Sequence, residues 1–290
     1  MTADADMQRL KPMLWLAAAF LLLGLWLLLD GGTENQWLFH QINLNAHANL
    51  PPERQLLWSH GMAFATVLGD THIMMLIILL SVQRRIFAVG GKLVDISGPQ
   101  LAPLCITIIL AATLSESLKT LFASARPAAV LLADSIHIIG VRLHAKAFPS
   151  GHTIAAFACT TVLLPIIASN AMRWGLTLLA IVIGVSRVGV GAHWPIDVAG
   201  GAVIGVFSGT VGWLLAGWLA RPSTAAAVAL PLRRARRLLY QALTLLGLFL
   251  LLLNLALTAF YSTDYQIGRL CSLLLAALII IDVAWRCRKL

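Results

Sequence analysis

Charge is scarce in this sequence. Of its 290 residues only 11% are Asp, Glu, Lys or Arg, while 59% are hydrophobic; soluble domains carry about 25% charged residues. That deficit excludes a large soluble core and points to an integral membrane protein, in which about 20 apolar residues make one span. Cysteine offers no chemistry. The four residues, Cys105, Cys159, Cys271 and Cys287, are scattered without a C-x-x-C pair, so neither a disulfide framework nor a zinc site is indicated. They read as small apolar packing residues. No basic helix and no interleaving of aromatic with basic residues accompanies the net charge of +9, which excludes nucleic acid as a partner. No repeat of fixed period and no low-complexity tract is present.

What the chain has in abundance is long apolar runs. They fall at residues 13–29, 62–82, 101–118, 153–168, 175–190, 198–219, 238–260 and 267–285. No small-residue cleavage site follows the first run, where Asp30-Gly31-Gly32-Thr33-Glu34 stands, so it is read as a retained span with a cytoplasmic N-terminus. Residues 31–60 are polar to mixed, with Trp37 and Trp58 suited to a membrane interface and a break at Pro51-Pro52. A tight turn is expected at residues 170–173. In the loop after the third run, residues 134–148 partly alternate polar with apolar, as a short hairpin or an interface-lying segment does. The sixth run carries Gly201, Gly205 and Gly209 at four-residue spacing, a pattern that lets helices approach closely in lipid.

With eight spans and the N-terminus inside, the inside segments hold 14 of the 21 basic residues, as positive-inside topology requires. Arg221 to Arg237 then forms a basic cytoplasmic linker. The expected architecture is an all-α integral membrane protein with both termini cytoplasmic: a body at residues 1–219, the linker at 220–237, and a two-span extension at 238–290.

Three polar runs interrupt the apolar body, and this topology puts all of them outside, in the periplasm of a bacterial inner membrane. They read Lys119-x6-Arg126-Pro127, Pro149-Ser150-Gly151-His152 and Ser186-Arg187-x5-His193-x3-Asp197. Each lies at the outer end of a span, so four helix ends converge. Lys119, Arg126 and Arg187 complement phosphate oxygens, and the arginines bind them bidentately. Pro149-Ser150-Gly151 precedes a helix whose free N–H groups and dipole favour an anion, and Ser150 adds a hydroxyl donor or a helix cap. A neutral imidazole can attack phosphorus to give a phosphohistidine. His193 has Asp197 four residues on, and His152 is placed to protonate a leaving oxygen.

These runs resemble the signature of the type 2 phosphatidic acid phosphatase superfamily, Lys-x6-Arg-Pro, Pro-Ser-Gly-His and Ser-Arg-x5-His-x3-Asp, at every position. The resemblance implies a six-helix core over roughly residues 13–219 and a reaction that needs no metal or other cofactor. It implies His193 as nucleophile, Asp197 as its orienter and His152 as general acid, with Lys119, Arg126, Ser150, Gly151 and Arg187 holding phosphate. The last two spans lie outside that six-helix pattern.

The leading reading is therefore a periplasm-facing lipid phosphatase whose partners are the bilayer and a membrane lipid phosphate. Undecaprenyl pyrophosphate, phosphatidylglycerol phosphate, phosphatidic acid and a lipid A phosphate all fit, and the outward site and compact loops tilt the choice to the first. A lipid phosphotransferase is the nearest alternative. A lipid transporter or flippase lacks the broken paired helices of transporter repeats, and a serine hydrolase lacks the G-x-S-x-G elbow. The sequence leaves the oligomeric state open. Outside the motifs, Asp70 and His72 interrupt the second run, with Asp70 read as lying near the outer interface. Glu116 is placed to pair with Lys119, and His137 and His144 are read as inessential.

Overall fold

The computed structural model of the chain describes residues 3–30, 32–70, 88–89, 92–93, 101–167 and 169–219. The linker at 220–237, the two C-terminal spans, His72, Cys271 and Cys287 lie outside them. Eight helices carry the architecture of the described residues. They are α1 (Ala3–Leu29), α2 (Thr33–His40), α3 (Pro52–Leu68), α4 (Leu101–Phe122), α5 (Pro127–Val130), α6 (Gly151–Leu163), α7 (Asn170–Gly189) and α8 (Pro195–Leu219). Helix α2 runs on through a π-helical turn, Gln41–Asn45, into Ala46–Ala48. A two-residue antiparallel ladder pairs Ala88 with Leu93 and Val89 with Lys92, a small departure from an all-α chain.

Among the described residues, four helical segments are long and apolar enough to cross a membrane: Leu10–Leu29, Pro103–Val130, Asn170–Gly189 and Pro195–Gly217. They coincide with the first, third, fifth and sixth expected spans. Their outer faces carry exposed Trp15, Leu22, Leu29, Leu121 and Leu178, side chains for which lipid is the matching solvent. The chain is a multi-pass membrane protein.

Helix α6 corresponds to the fourth expected span and is shorter, continuing only into the 3-10 turn Leu164–Ile166. Every residue from Thr153 to Leu163 is buried. A helix apolar on all sides belongs inside a bundle, and α6 is the one that α4, α7 and α8 enclose. The glycine stripe of α8 makes this possible. A Cβ at Gly201 would lie 2.8 Å from the Ser150 carbonyl oxygen, one at Gly205 2.7 Å from that of Ile154, and one at Gly209 2.6 Å from Thr161 Cβ. Only bare backbone fits at these separations, so the two helices meet along three successive turns. On the far side, α1 seals the core: Leu10 and Met13 pack with Phe157, Leu164, Ala180, Ile183 and Val206, and Phe20 meets Phe157 edge to face at 5.4 Å.

Three sequence expectations need correction. Residues 62–68, the start of the second apolar run, belong to a helix that begins at Pro52 and ends at Leu68, because a proline at the first helical turn starts a helix rather than breaking one. Residues 71–82 of that run lie outside the described residues. No strand forms among residues 134–148; the loop holds a 3-10 turn at Ala133–Ser135 and is otherwise irregular. Residues 170–173 are the first turn of α7, which Ser169 caps by accepting from Met172 N–H. Arg173 folds back there, donating from Nε to the Ile167 carbonyl at 2.9 Å.

Candidate active site

The three polar runs meet at one end of the bundle. The C-terminus of α4 brings Lys119, the N-terminus of α6 brings Ser150 to His152, the C-terminus of α7 brings Arg187, and the first turn of α8 brings Asp197. A backbone bond from Ser150 N–H to the Asp197 carbonyl, 3.0 Å, stitches the second run to the third. The first joins them at Lys119, whose Nζ lies 3.2 Å from where a Cβ on Gly151 would stand. Gly151 therefore keeps the start of α6 open to the ammonium and to any anion bound there.

Arg126 is 8% exposed and acts as a bracket. Its Nε donates to the Ala145 carbonyl at 2.8 Å, Nη1 to that of Ala192 at 2.9 Å, and Nη2 to that of Lys146 at 3.3 Å. Its own N–H donates to the His144 carbonyl at 3.0 Å. One side chain thus ties the loop 131–148 to the α7–α8 turn. The loop is pinned further where Ala147 N–H donates to the Ser124 carbonyl and Phe148 N–H to Ser124 Oγ. Arg187, 6% exposed, donates from Nη1 to Thr66 Oγ1 on α3. Its carbonyl accepts from the N–H groups of both Ala192 and His193 at 3.1 Å, which folds the turn back over the end of α7. Gly191 has φ of +74° in that turn, and a Cβ there would meet the His137 carbonyl oxygen at 2.6 Å, so both dihedral and space require glycine.

His193, 2% exposed, stands at the centre. Its Nδ1 faces Asp197 Oδ2 at 3.4 Å and its Nε2 faces Arg126 Nη1 at 3.2 Å. The Nδ1 contact is long for a hydrogen bond, and no other acceptor reaches that nitrogen among the described residues; such contacts tighten when a substrate binds. The arrangement sets the tautomer: a proton on Nδ1 toward the carboxylate, a lone pair on Nε2 toward the cations. Burial holds the imidazole well below its ordinary pKa, and the positive charges of Arg187 and Arg126 act the same way. It is a neutral base in a site of positive potential. Asp197 is anchored as well, since Trp194 N–H donates to its Oδ2 at 2.8 Å; a third-position acid reaching back to the residue before a helix closes one of the orphan donors there.

His152 is half-buried on the first turn of α6, and its Nε2 is shielded with no hydrogen-bond partner among the described residues. Ser150 is fully buried and does not cap α6 with its side chain. Its Oγ accepts from Thr153 Oγ1 at 2.9 Å, which leaves its own O–H to donate. Ser186 is structural, donating to the Ile183 carbonyl one turn back at 2.7 Å. Glu116 pairs with Lys119 at 3.2 Å, as its spacing predicts. Asp70 immediately follows Gly69, and Gly69 packs against His152, with a Cβ there 3.3 Å from His152 Cβ. Asp70 thus borders the site.

Several supporting residues escape sequence reasoning. Asn43, fully buried in the π-helical turn, donates from Nδ2 to the His137 carbonyl at 2.7 Å and the Gly189 carbonyl at 3.0 Å. Its Oδ1 accepts from His137 N–H at 2.8 Å. Asn35 Oδ1 accepts from Ile196 N–H at 3.0 Å, satisfying a donor at the start of α8. Trp194 Nε1 donates to the Ala125 carbonyl at 3.0 Å, joining the third run to the first. A lone asparagine or threonine in a mixed stretch has no spacing partner to mark it. The side chain of His137 lies outside the site, stacked on His47 at 4.1 Å and 3.3 Å from Ser59 Oγ.

Residues 100–221, which hold all three runs, match the family model of the PAP2 superfamily. Over 205 residues, 69% of this chain and 84% of the other, the sequence is 27% identical to an undecaprenyl-diphosphatase of Sulfolobus acidocaldarius. Over 82 residues, 28% of this chain and 18% of the other, it is 33% identical to a lipid A 1-phosphatase of Porphyromonas gingivalis. Among solved structures it is similar to LpxE of Aquifex aeolicus, with 31% identity, coverage of 62% of this chain and 94% of that one, and a TM-score of 0.48.

Proposed function

The chain belongs to the PAP2 superfamily, and from that premise we propose that it is a lipid phosphatase whose nucleophile is His193. The observation that carries the reading is the placement of that imidazole, with Asp197 on Nδ1 and the phosphate-binding Arg126 on Nε2. Phosphate oxygens take the N–H groups of Arg126, Arg187, Lys119 and Gly151 and the hydroxyl of Ser150. The Nε2 lone pair then attacks phosphorus in line. As the N–P bond forms, the bond to the leaving oxygen breaks, and His152 hands that oxygen its proton. Asp197 stabilises the positive charge left on the phosphorylated imidazole. In the second half, water attacks phosphorus, His152 takes the proton, and the N–P bond breaks to free His193 and inorganic phosphate. Charge neutralisation comes from guanidinium and ammonium groups, the task a metal ion performs in other phosphatases, so we propose a metal-independent reaction.

The substrate we propose is undecaprenyl pyrophosphate, supported by the similarity to the Sulfolobus acidocaldarius enzyme along most of its length. Lipid A 1-phosphate is the second reading, supported by the similarity to the Porphyromonas gingivalis enzyme around the motifs. The bias of basic residues supports a site on the periplasmic face of the inner membrane, eight spans with both termini cytoplasmic, and a core at residues 1–219 followed by the linker and a two-span extension. Purified protein is expected to release inorganic phosphate from a lipid phosphate in EDTA, and His193→Ala is expected to abolish release. Full activity in that variant would refute the mechanism. A cysteine placed in the loop 128–148 is expected to react with an impermeant thiol reagent from the periplasmic side; labelling only from the cytoplasm would reverse the orientation.

A further inference from the structure

We propose that Asp70 is a positioning residue for His152, holding the imidazole through Nδ1 so that Nε2 points at the leaving oxygen. The inference rests on the lipid phosphatase reading above, in which His152 is the general acid.

Helix α3 ends directly against that histidine. Its last turn closes with Gly69 N–H donating to the Thr66 carbonyl at 3.1 Å and Asp70 N–H to the Val67 carbonyl at 3.0 Å, which fixes the direction in which the chain leaves the helix. A side chain at Gly69 would meet both Ile183 and His152 Cβ, so the glycine allows the end of α3, with Asp70 next in sequence, to lie on the first turn of α6. Burial and the cations Arg187, Lys119 and Arg126 disfavour the charged form of His152, and Asp70 favours it. Asp70 is the carboxylate in that set.

A general acid needs its proton until the leaving group departs. Burial and three cations oppose the protonated form of His152; the proposed Asp70 carboxylate on Nδ1 would offset them and fix the tautomer. Its Nε2 is shielded and without a partner among the described residues, as expected of the atom that donates to a substrate. The site then contains two carboxylate–imidazole pairs with opposite tasks. Asp197 supports His193 as it gains a phosphoryl group, and Asp70 supports His152 as it gives up a proton. An acid at residue 70, inside an apolar run where ionisable groups are costly, is thereby explained.

Dependence on the leaving group separates this role from a structural one. An alkyl phosphate expels an alkoxide that must be protonated, whereas p-nitrophenyl phosphate expels a stable phenolate. Full-length Asp70→Asn is expected to lose about tenfold to hundredfold in kcat/KM on the alkyl phosphate and less than about twofold on p-nitrophenyl phosphate. Asp70→Glu, which keeps the carboxylate, is expected to recover part of the lost rate. Equal losses on both substrates, or no loss on either, would overturn the proposal. His152→Ala run in parallel should show the same selective loss. If it lost both activities alike, the acid role of His152 would fall, and with it the role of Asp70. Wild-type protein that released phosphate from neither substrate would overturn the phosphatase reading itself.

Discussion

The guanidinium of Arg126 lies 3.2 Å, through Nη1, from Nε2 of His193. The lone pair proposed to attack phosphorus is therefore held by one of the cations proposed to bind phosphate. Substrate binding has to redirect that N–H from nitrogen to a phosphate oxygen, which frees the nucleophile only when its target is in place.

Replacing Arg126 tests both of its tasks. Lysine supplies charge from a single point and cannot reproduce the fork that reaches the carbonyls of Ala145, Lys146 and Ala192. Arg126→Lys is expected to lower kcat/KM by about a hundredfold or more. It should also lower thermal stability by about 1–3 kcal/mol, because buried carbonyls lose their donor. Phosphate release and thermal unfolding in detergent check the two effects separately.

The environment of His193 sets a pH signature. Burial, Arg187 and Arg126 hold its pKa well below the ordinary value, about 6.5. The neutral nucleophile persists below that pH, so the acid limb of kcat/KM attributable to His193 should fall below about pH 6.5. The same shift has a stability sign. A depressed folded-state pKa means that the unfolded chain takes the proton more readily, so the contribution is complete above about pH 6.5 and is lost as pH falls through the folded value. His193→Gln should flatten the acid-side decline of thermal stability, measured by melting across a pH series.

Much of the candidate site was legible because its groups recur at fixed spacings along the chain. His193 and Asp197 sit one helical turn apart, and Lys119 with Glu116 likewise. The glycine stripe of α8 announced its close packing for the same reason. What stayed hidden depends on pairs remote in sequence: Asn43 reaches Gly189 across 146 positions, and Arg187 reaches Thr66 across 121. The brevity of α6 was hidden too, since apolar content cannot separate a buried central helix from a lipid-facing span. The start of α3 was missed because Pro51-Pro52 reads equally as a break and as a first turn.

Asn43 gives a prediction that the motifs alone do not. It joins the π-helical turn, the loop at His137 and the end of α7 beside Arg187. Asn43→Ala leaves several buried backbone groups without partners and is expected to cost about 2–3 kcal/mol of stability. Asn43→Asp, which replaces the donor with an acceptor facing carbonyl oxygens, should be at least as harmful. Weaker inhibition by vanadate, a phosphate mimic, would show that the loss reaches the anion site.

The stripe on α8 predicts a long-range effect on chemistry. A Cβ at Gly205 would lie 2.7 Å from both the Ile154 carbonyl oxygen and Phe157 Cβ. Gly205→Ala therefore pushes α6 from α8 and is expected to destabilise the protein by about 1–3 kcal/mol. Because the same helix carries Ser150, Gly151 and His152, kcat should fall as well. Thermal unfolding and phosphate release on one preparation test whether the two losses go together.

The most direct test of the mechanism is to trap its intermediate. Wild-type protein would be mixed with a lipid phosphate labelled in the transferred phosphoryl group, quenched in alkali within one turnover, and digested for peptide mapping. The account predicts label on His193, stable to base and released by acid, and none in His193→Ala. Turnover with no label on His193, or label on Ser150 instead, would contradict it.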